Sequence, residues 1–263
     1  MEDLQTVHKE IINWLNEIVP IIKSDILEEL TIETKLNRKD LVTNIDKKVQ
    51  DFLVRKITDS YPTHMIIGEE SQELIINDNR EHVWVIDPID GTTNFVKQQD
   101  HFCILIAYYE NDIGKLGYIF DVMNDDLYYA IENKGVFLNG ETMPAPEEIS
   151  LQEGLISADV RNWYGKECFG RLAEESFDIR YFGCGGIDCI HVITGKFAAF
   201  ATSKSGPWDL AAQLVFAKEL GLKASRFDGS ELHYLDHGDW VFANKGTYQD
   251  LIPILKDWDL DKN

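Results

Sequence analysis

Two short apolar runs that end in carboxylates constrain this chain most. Met65-Ile66-Ile67 leads into Glu69-Glu70, and Val83-Trp84-Val85-Ile86 leads into Asp87-Pro88-Ile89-Asp90-Gly91-Thr92-Thr93-Asn94-Phe95. Both runs have the length of strands, and the second reads as a buried one. Acidic groups at such strand ends stand where chemistry is often placed. In the second segment two carboxylates lie three residues apart across a proline turn, followed by a glycine and two hydroxyls. Two anions held this close repel each other unless a cation neutralises them, and Mg²⁺ prefers an octahedron of carboxylate, carbonyl, water and phosphate oxygens. A bare Asp-Gly turn is structural more often than functional, with glycine supplying positive φ. The length and order of this segment set it apart.

The flanking pattern places these runs in a mixed architecture. Leu4, Val7, Ile11, Leu15, Ile18 and Ile22 step by three or four, which predicts an amphipathic helix that Pro20 kinks or breaks. A second helix is expected from Ile45 to Ile57, capped by Thr43-Asn44 and stopped before Tyr61-Pro62. Strand-like runs at Phe102 to Tyr109, Leu116 to Phe120 and Leu127 to Ile131 are divided by Asn-Asp turns, as in an antiparallel meander. From about residue 154 strands and helices alternate, with strands at 155–157, 179–182, 197–201 and 240–242. Helices are expected at 169–176, 187–194, 207–220 and 248–255, the last bent by Pro253. The chain reads as one domain over 1–263, with an α+β part over about 1–145 and an α/β part over about 146–263 that meet near Pro144-Ala145-Pro146.

Composition excludes several classes. With 25 Lys and Arg against 46 Asp and Glu the net charge is −21, which repels nucleic-acid phosphates and anionic membrane surfaces alike. No stretch approaches the ~20 apolar residues of a membrane-spanning helix. The four cysteines lack C-x-x-C spacing and the N-terminus lacks a signal-peptide pattern, so a reduced, cytoplasmic protein is expected. The seven histidines show no H-E-x-x-H spacing, and neither a G-x-S-x-G elbow nor a phosphate-binding P-loop is present.

Taken together, Ile67-Gly68-Glu69-Glu70-Ser71, the Asp87 to Phe95 segment and Pro207-Trp208-Asp209-Leu210-Ala211 resemble, in order and spacing, the signature of the inositol monophosphatase family. The likeness extends from Asp40-Leu41-Val42-Thr43-Asn44-Ile45-Asp46 to the helix after Asp209. It implies a five-layered αβαβα sandwich of the inositol monophosphatase and fructose-1,6-bisphosphatase type, and a lithium-sensitive phosphomonoesterase using two to three Mg²⁺ ions. It also implies a homodimer. On this resemblance Glu69, Asp87 and the carbonyl of Ile89 hold one metal, while Asp87, Asp90 and Asp209 hold a second. Thr92 and Glu69 orient and deprotonate the attacking water, and the N–H groups of Gly91 and Thr92 bind phosphate oxygens. Lys35 and Asp46 fall near a third, weaker metal position, with Asp46 a further catalytic candidate.

Specificity is expected to rest on Gly185 and Asp188, within Gly183-Cys184-Gly185-Gly186-Ile187-Asp188, and on Thr202. This stretch corresponds to a family Gly-Ser/Thr-Ala-Ala segment beside the substrate, with Cys184 in place of the hydroxyl residue. Thr202 stands where many relatives carry an acid that binds inositol hydroxyls. Loss of that acid, with Lys204 close by, opens the choice among inositol 1-phosphate, the 2′-phosphate of NADP(H), fructose 1,6-bisphosphate and 3′-phosphoadenosine 5′-phosphate. A protein-interaction regulator with vestigial activity is the alternative of another class.

Overall fold

The computed structural model describes residues 3–26, 32–34, 41–70, 80–159, 163 and 165–258. Helix α1 (Leu4–Asp25) is opened by Asp3, whose side chain accepts from the Gln5 N–H, and it carries Pro20 inside it without ending there. Of the kink or break expected at Pro20, the break does not occur, because Val7, Ile11, Leu15, Ile18 and Ile22 all stay buried on one face. Strands β1 (Ile32–Thr34) and β2 (Leu41–Thr43) form a small antiparallel pair. Thr43 then caps α2 (Asn44–Ser60) through a capping box with Asp46.

The main sheet follows. It contains β3 (Met65–Gly68), β4 (His82–Asp90), β5 (Cys103–Glu110), β6 (Ile113–Asp121), β7 (Asp126–Ile131), β8 (Gly135–Leu138) and β9 (Glu141–Met143), in that spatial order. β3 pairs parallel to β4, and every later neighbour is antiparallel, so the predicted meander is present. It runs two strands beyond the prediction, because β8 and β9 are short and mostly half-buried or exposed, and carry no sustained apolar alternation. The uninterrupted apolar runs are explained by burial on both faces. Trp84, Ile86, Ile104, Ile106 and Tyr108 pack against α1 and α2 on one side. Val83, Val85, Leu105, Ala107 and Tyr109 face the interior of the molecule on the other.

A second sheet holds β10 (Leu155–Ala158), β11 (Asp178–Arg180), β12 (Ala199–Thr202), β13 (Lys223–Ser225) and β14 (Trp240–Ala243), ordered β11-β10-β12-β14-β13. Between the sheets lie α5 (Gly185–Ile193) and α6 (Pro207–Leu220), following α3 (Thr92–Gln98) and α4 (Glu167–Glu175) in the chain. α6 is apolar nearly all round, as a helix with neighbours on every side must be: Leu210, Ala211, Ala212, Val215 and Phe216 share one cluster with Phe200, Trp240 and Phe242 of the second sheet. On the far side of that sheet, Ile156, Ala199, Ala201, Val241 and Ala243 pack with Leu172 of α4 and with Leu251, Ile254 and Leu255 of α7 (Lys245–Leu255). α7 runs through Pro253. The layers are therefore α1/α2, main sheet, α5/α6, second sheet, α4/α7, which is the αβαβα sandwich expected. Among the described residues no helix is long and apolar enough to cross a membrane.

α6 reaches the main sheet because Gly114 and Gly117 of β6 leave room for it. A Cβ at Gly117 would lie 2.7 Å from the Ala212 carbonyl oxygen and 3.1 Å from Val215 Cβ. Replacing Gly117 by Ala should therefore push α6 off the sheet and destabilise the protein by ~1–3 kcal/mol, read as a lowered thermal midpoint. An unchanged midpoint would show that this approach does not limit the packing.

Candidate active site

β4 positions the first carboxylates. Its pairing with β5 puts Asp87 opposite Leu105 but Asp90 opposite Cys103, so one extra residue is accommodated around Pro88-Ile89. In a regular strand residues three apart point to opposite faces; this bulge turns both carboxylates to the same, inner face. The Ile89 N–H donates to Asp87 Oδ1 at 3.1 Å and closes the turn. Gly91, at φ +87°, then begins α3, a left-handed conformation that suits glycine.

Asp209 arrives from the other direction. It sits in the first turn of α6 behind Pro207, and the Gly206 N–H donates to its Oδ2 at 2.6 Å. Oxygens of Asp87, Asp90 and Asp209 all lie within 4.8 Å of one another. Glu69, just beyond β3, shares a side-chain hydrogen bond with Asp87 and joins the same field. Burial pushes the Asp87 carboxyl well above the usual carboxylate range, and the charges of Glu69, Asp90 and Asp209 push it further. Asp90 is raised by burial too, although the Gly186 N–H, at 2.5 Å from Oδ2, and the thiols of Cys184 and Cys103 favour its charged form.

Such an oxygen-only set fits a hard divalent cation. An octahedron with ~2.1 Å bonds spaces its oxygens about 3 to 4.2 Å apart, within the separation found here, and the crowding that raises Asp87 is what a cation would relieve.

Asp46 is fully buried, and both of its oxygens are engaged. Oδ2 accepts from the Thr43 N–H at 2.9 Å and from the Thr43 hydroxyl. Oδ1 accepts from the Thr92 hydroxyl at 3.2 Å, which also lies 3.1 Å from the Ile89 carbonyl oxygen. Burial raises the Asp46 pKa against these donors. The backbone N–H of Glu70 donates to Gln50 Oε1 at 2.8 Å.

Beside the carboxylates lies a cavity of about 140 Å³ lined by Gly185, Asp188, Thr202, Lys204 and Asp209. Asp209 thus belongs to both the acid cluster and the cavity. Asp188 accepts from the Ser157 hydroxyl at 2.7 Å, while its Oδ2 is buried with no hydrogen-bond partner. Burial pushes this carboxyl up to about 7. The Thr202 hydroxyl donates to the Lys204 carbonyl at 3.1 Å and holds the loop that carries that lysine. The structure thus brings Glu69, Asp87, Ile89, Asp90, Gly91, Thr92, Asp46 and Asp209 together, next to Gly185, Asp188 and Thr202. Lys35 lies outside the described residues. Sequence reasoning passed over Asp159 and Tyr181, which also line the cavity. Asp159 follows strand Leu155–Ala158 directly, the same strand-end signal that marked Asp87.

Comparison with known proteins agrees with this architecture. The family model described as "Inositol monophosphatase family" matches residues 3–258. The chain is 36% identical to an inositol-1-monophosphatase of Bacillus subtilis over 242 residues, 90% of this chain and 91% of that one. It is 32% identical over 225 residues, 83% of each chain, to the Nus factor SuhB of Escherichia coli. A crystal structure of an IMPase/NADP phosphatase complexed with Mg²⁺ and phosphate superposes with a TM-score of 0.91 at 35% identity, covering 96% of each chain. Another, complexed with NADP and Ca²⁺, gives 0.92 at 35% identity over 97% of this chain and 96% of that one. Staphylococcal inositol monophosphatase-1 in a LiCl-soaked inhibitory complex gives 0.91 at 35% identity, over 97% and 96%. A five-layered sandwich with acids converging beside a polar cavity defines a phosphoric monoester hydrolase. The chain belongs to the inositol monophosphatase family.

The crowding has a pH signature. Because folding raises the Asp87 pKa, its protonated form is favoured in the native state. That contribution is complete below the ordinary carboxylate pKa and is lost as pH rises through the raised folded value. Asp188, raised to about 7, adds to this loss, whereas His64 and His191, lowered to about 4, oppose it, so the Asp87 contribution is read as a difference between two proteins. In chelator the thermal midpoint of the wild type should fall relative to that of Asp87→Asn as pH rises from about 4 towards neutrality, and Mg²⁺ should raise the wild-type midpoint far more than that of the variant. A difference between the two proteins that stays constant over this range would contradict the assignment.

Proposed function

We propose that the chain is a Mg²⁺-dependent phosphatase of small phosphate monoesters, with inositol monophosphate its first substrate and the 2′-phosphate of NADP(H) its second. The observation that carries this reading is the meeting of Asp87, Asp90 and Asp209 at the edge of a cavity with hydroxyl-binding groups. Glu69, Asp87 and the Ile89 carbonyl would hold one ion and Asp87, Asp90 and Asp209 a second, within a total of two to three. When bound, Mg²⁺ neutralises the acids, makes water a stronger nucleophile and stabilises charge on the departing oxygen.

The protein groups do the positioning. With its proton directed to Asp46, the Thr92 oxygen presents its lone pairs to a water and accepts from it. Glu69 takes the other hydrogen, so water is oriented and deprotonated between the two. The N–H groups of Gly91 and Thr92, which the first turn of α3 leaves without helical partners, hold phosphate oxygens. Gly185, Asp188 and Thr202 contact the alcohol portion, and Lys35 belongs to the same substrate set. A neutral Thr202 beside Lys204 suits a larger or more anionic alcohol such as a nucleotide, and this favours NADP(H) as second substrate.

Fructose 1,6-bisphosphate and 3′-phosphoadenosine 5′-phosphate are the alternatives within the class. All of 1–263 is read as one phosphatase domain, with most ligands from about 1–145 and Asp209 from about 146–263. Family membership supports a homodimer, and four buried cysteines, none in a disulfide, support a reducing cytoplasm. A regulator acting without catalysis, which the SuhB relatives bring to mind, is opposed by the complete acid set.

Phosphate release should require Mg²⁺ and should rank inositol 1-phosphate and NADP⁺ above fructose 1,6-bisphosphate and 3′-phosphoadenosine 5′-phosphate in kcat/KM. Failure to release phosphate from all four, with the protein folded, would overturn the reading. Thr92→Val should lower kcat by ~10²–10⁴-fold with KM little changed, the range expected for loss of a proton-transfer partner. Asp209→Asn should abolish Mg²⁺-dependent turnover while the protein stays folded, and near wild-type turnover would sink the ligand assignment.

A further inference from the structure

The Asp90 oxygen that accepts from the Gly186 N–H also meets two thiols. This oxygen, Oδ2, lies 3.2 Å from Cys184 Sγ and 3.6 Å from Cys103 Sγ, and the two sulfurs are 3.7 Å apart. A tetrahedral zinc ion with Zn–S bonds of about 2.3 Å and a Zn–O bond of about 2.0 Å places two sulfurs about 3.8 Å apart and each sulfur about 3.5 Å from the oxygen. Two of the three observed edges agree to about a tenth of an ångström and the third, between Cys184 and Asp90, is a few tenths shorter.

Three elements build this triangle, and two glycines make room for it. Asp90 ends β4, Cys103 opens β5 opposite it, and Cys184 precedes α5. A Cβ at Gly186 would collide with Cys103 Sγ and lie 3.0 Å from Asp90 Oδ2, while one at Gly91 would lie 3.2 Å from Cys184 Sγ. Both thiols are buried, yet Cys184 also lines the substrate cavity, which supplies a path for an ion.

We propose that Cys103, Cys184 and Asp90 form a site for a thiophilic divalent cation, Zn²⁺ or Cd²⁺, whose occupation switches the phosphatase off. Binding replaces two S–H bonds by two metal–thiolate bonds, releases two protons to solvent and needs no oxidant. Soft thiolates select Zn²⁺ or Cd²⁺ over Mg²⁺, so the two kinds of ion draw on one carboxylate in different company. An ion on Oδ2 draws charge from Asp90, weakens its hold on Mg²⁺ and repels a second cation nearby. The inhibitory half of the proposal rests on the reading of Asp90 as a Mg²⁺ ligand; the binding half does not.

The test is a Cd²⁺ titration of the full chain with excess Mg²⁺ and a phosphine reductant, read by the ultraviolet thiolate-to-cadmium charge-transfer band. One Cd²⁺ per chain should give the band. Cys103→Ser and Cys184→Ser should each weaken binding by at least about tenfold, whereas Cys168→Ser, in the core beyond the second sheet, should leave it unchanged. A thermal midpoint for each variant separates lost binding from lost folding, and Cys103→Ala gives a second route should Cys184→Ser not fold. A wild-type protein without the band, or a folded Cys103→Ser, Cys184→Ser double variant that keeps it, overturns the site. In parallel, Zn²⁺ should inhibit phosphate release by the wild type, and the inhibitory concentration should rise at least about tenfold in each cysteine variant relative to its own zinc-free rate. A band without inhibition overturns the switch. A wild type that hydrolyses no phosphate ester fails the phosphatase reading alone, because the band still decides the site.

Discussion

Repulsion among buried carboxylates is the constraint on which this structure turns. Asp87, Asp90 and Asp209 bring oxygens within 4.8 Å of each other, with Glu69 acting on the same field. At such separations each like-charge pair costs roughly 3–4 kcal/mol even in a polarisable protein interior, against a total folding stability of about 5–15 kcal/mol for a typical protein. The cluster therefore exists only if protons or cations neutralise it and the frame holds it in place. Each acid has its own anchor: the Ile89 N–H for Asp87, the Gly186 N–H and two thiols for Asp90, and the Gly206 N–H for Asp209. These donors hold one oxygen of each carboxylate and stabilise its charged form.

The frame is the middle helical layer. α5 and α6 are packed between two sheets, and both begin at the acid cluster, one at Gly185 and the other at Pro207. Their N-terminal ends carry partial positive charge, which offsets part of the cost of gathering anions there. Close packing of α6 on β6, where Gly114 and Gly117 replace side chains, transmits the position of the main sheet to Asp209. Core and site are in this sense one construction.

The cavity next to the acids has mixed character. Asp188 keeps one oxygen without a hydrogen-bond partner and Thr202 holds the loop bearing Lys204, so hydroxyl acceptors and a cation share one wall. This combination is compatible with a polyol and with a phosphorylated nucleotide, which accords with relatives known both as inositol monophosphatase and as IMPase/NADP phosphatase.

What could be read from the sequence alone were the features that depend on near neighbours in the chain. Helical spacing marked α1 and α2, apolar runs marked β3 to β7, and Pro207 marked the start of α6, since each is a local balance of burial and backbone preference. The acids at strand ends were legible for the same reason, and the order of their motifs carried the family. Pro20 leaves the helix unbroken because tertiary burial of α1 outweighs one lost hydrogen bond, and β8 and β9 escape the pattern because short, partly exposed strands at the end of the sheet need little apolar alternation. Only the tertiary structure decided that a bulge at Pro88-Ile89 turns Asp87 and Asp90 to one face, that Asp46 engages the Thr92 hydroxyl 46 residues away, and that Cys103 meets Cys184 across 81 residues beside Asp90. Those contacts are set by sheet register and layer packing, which sum over the whole chain, and spacing within any one segment does not contain them.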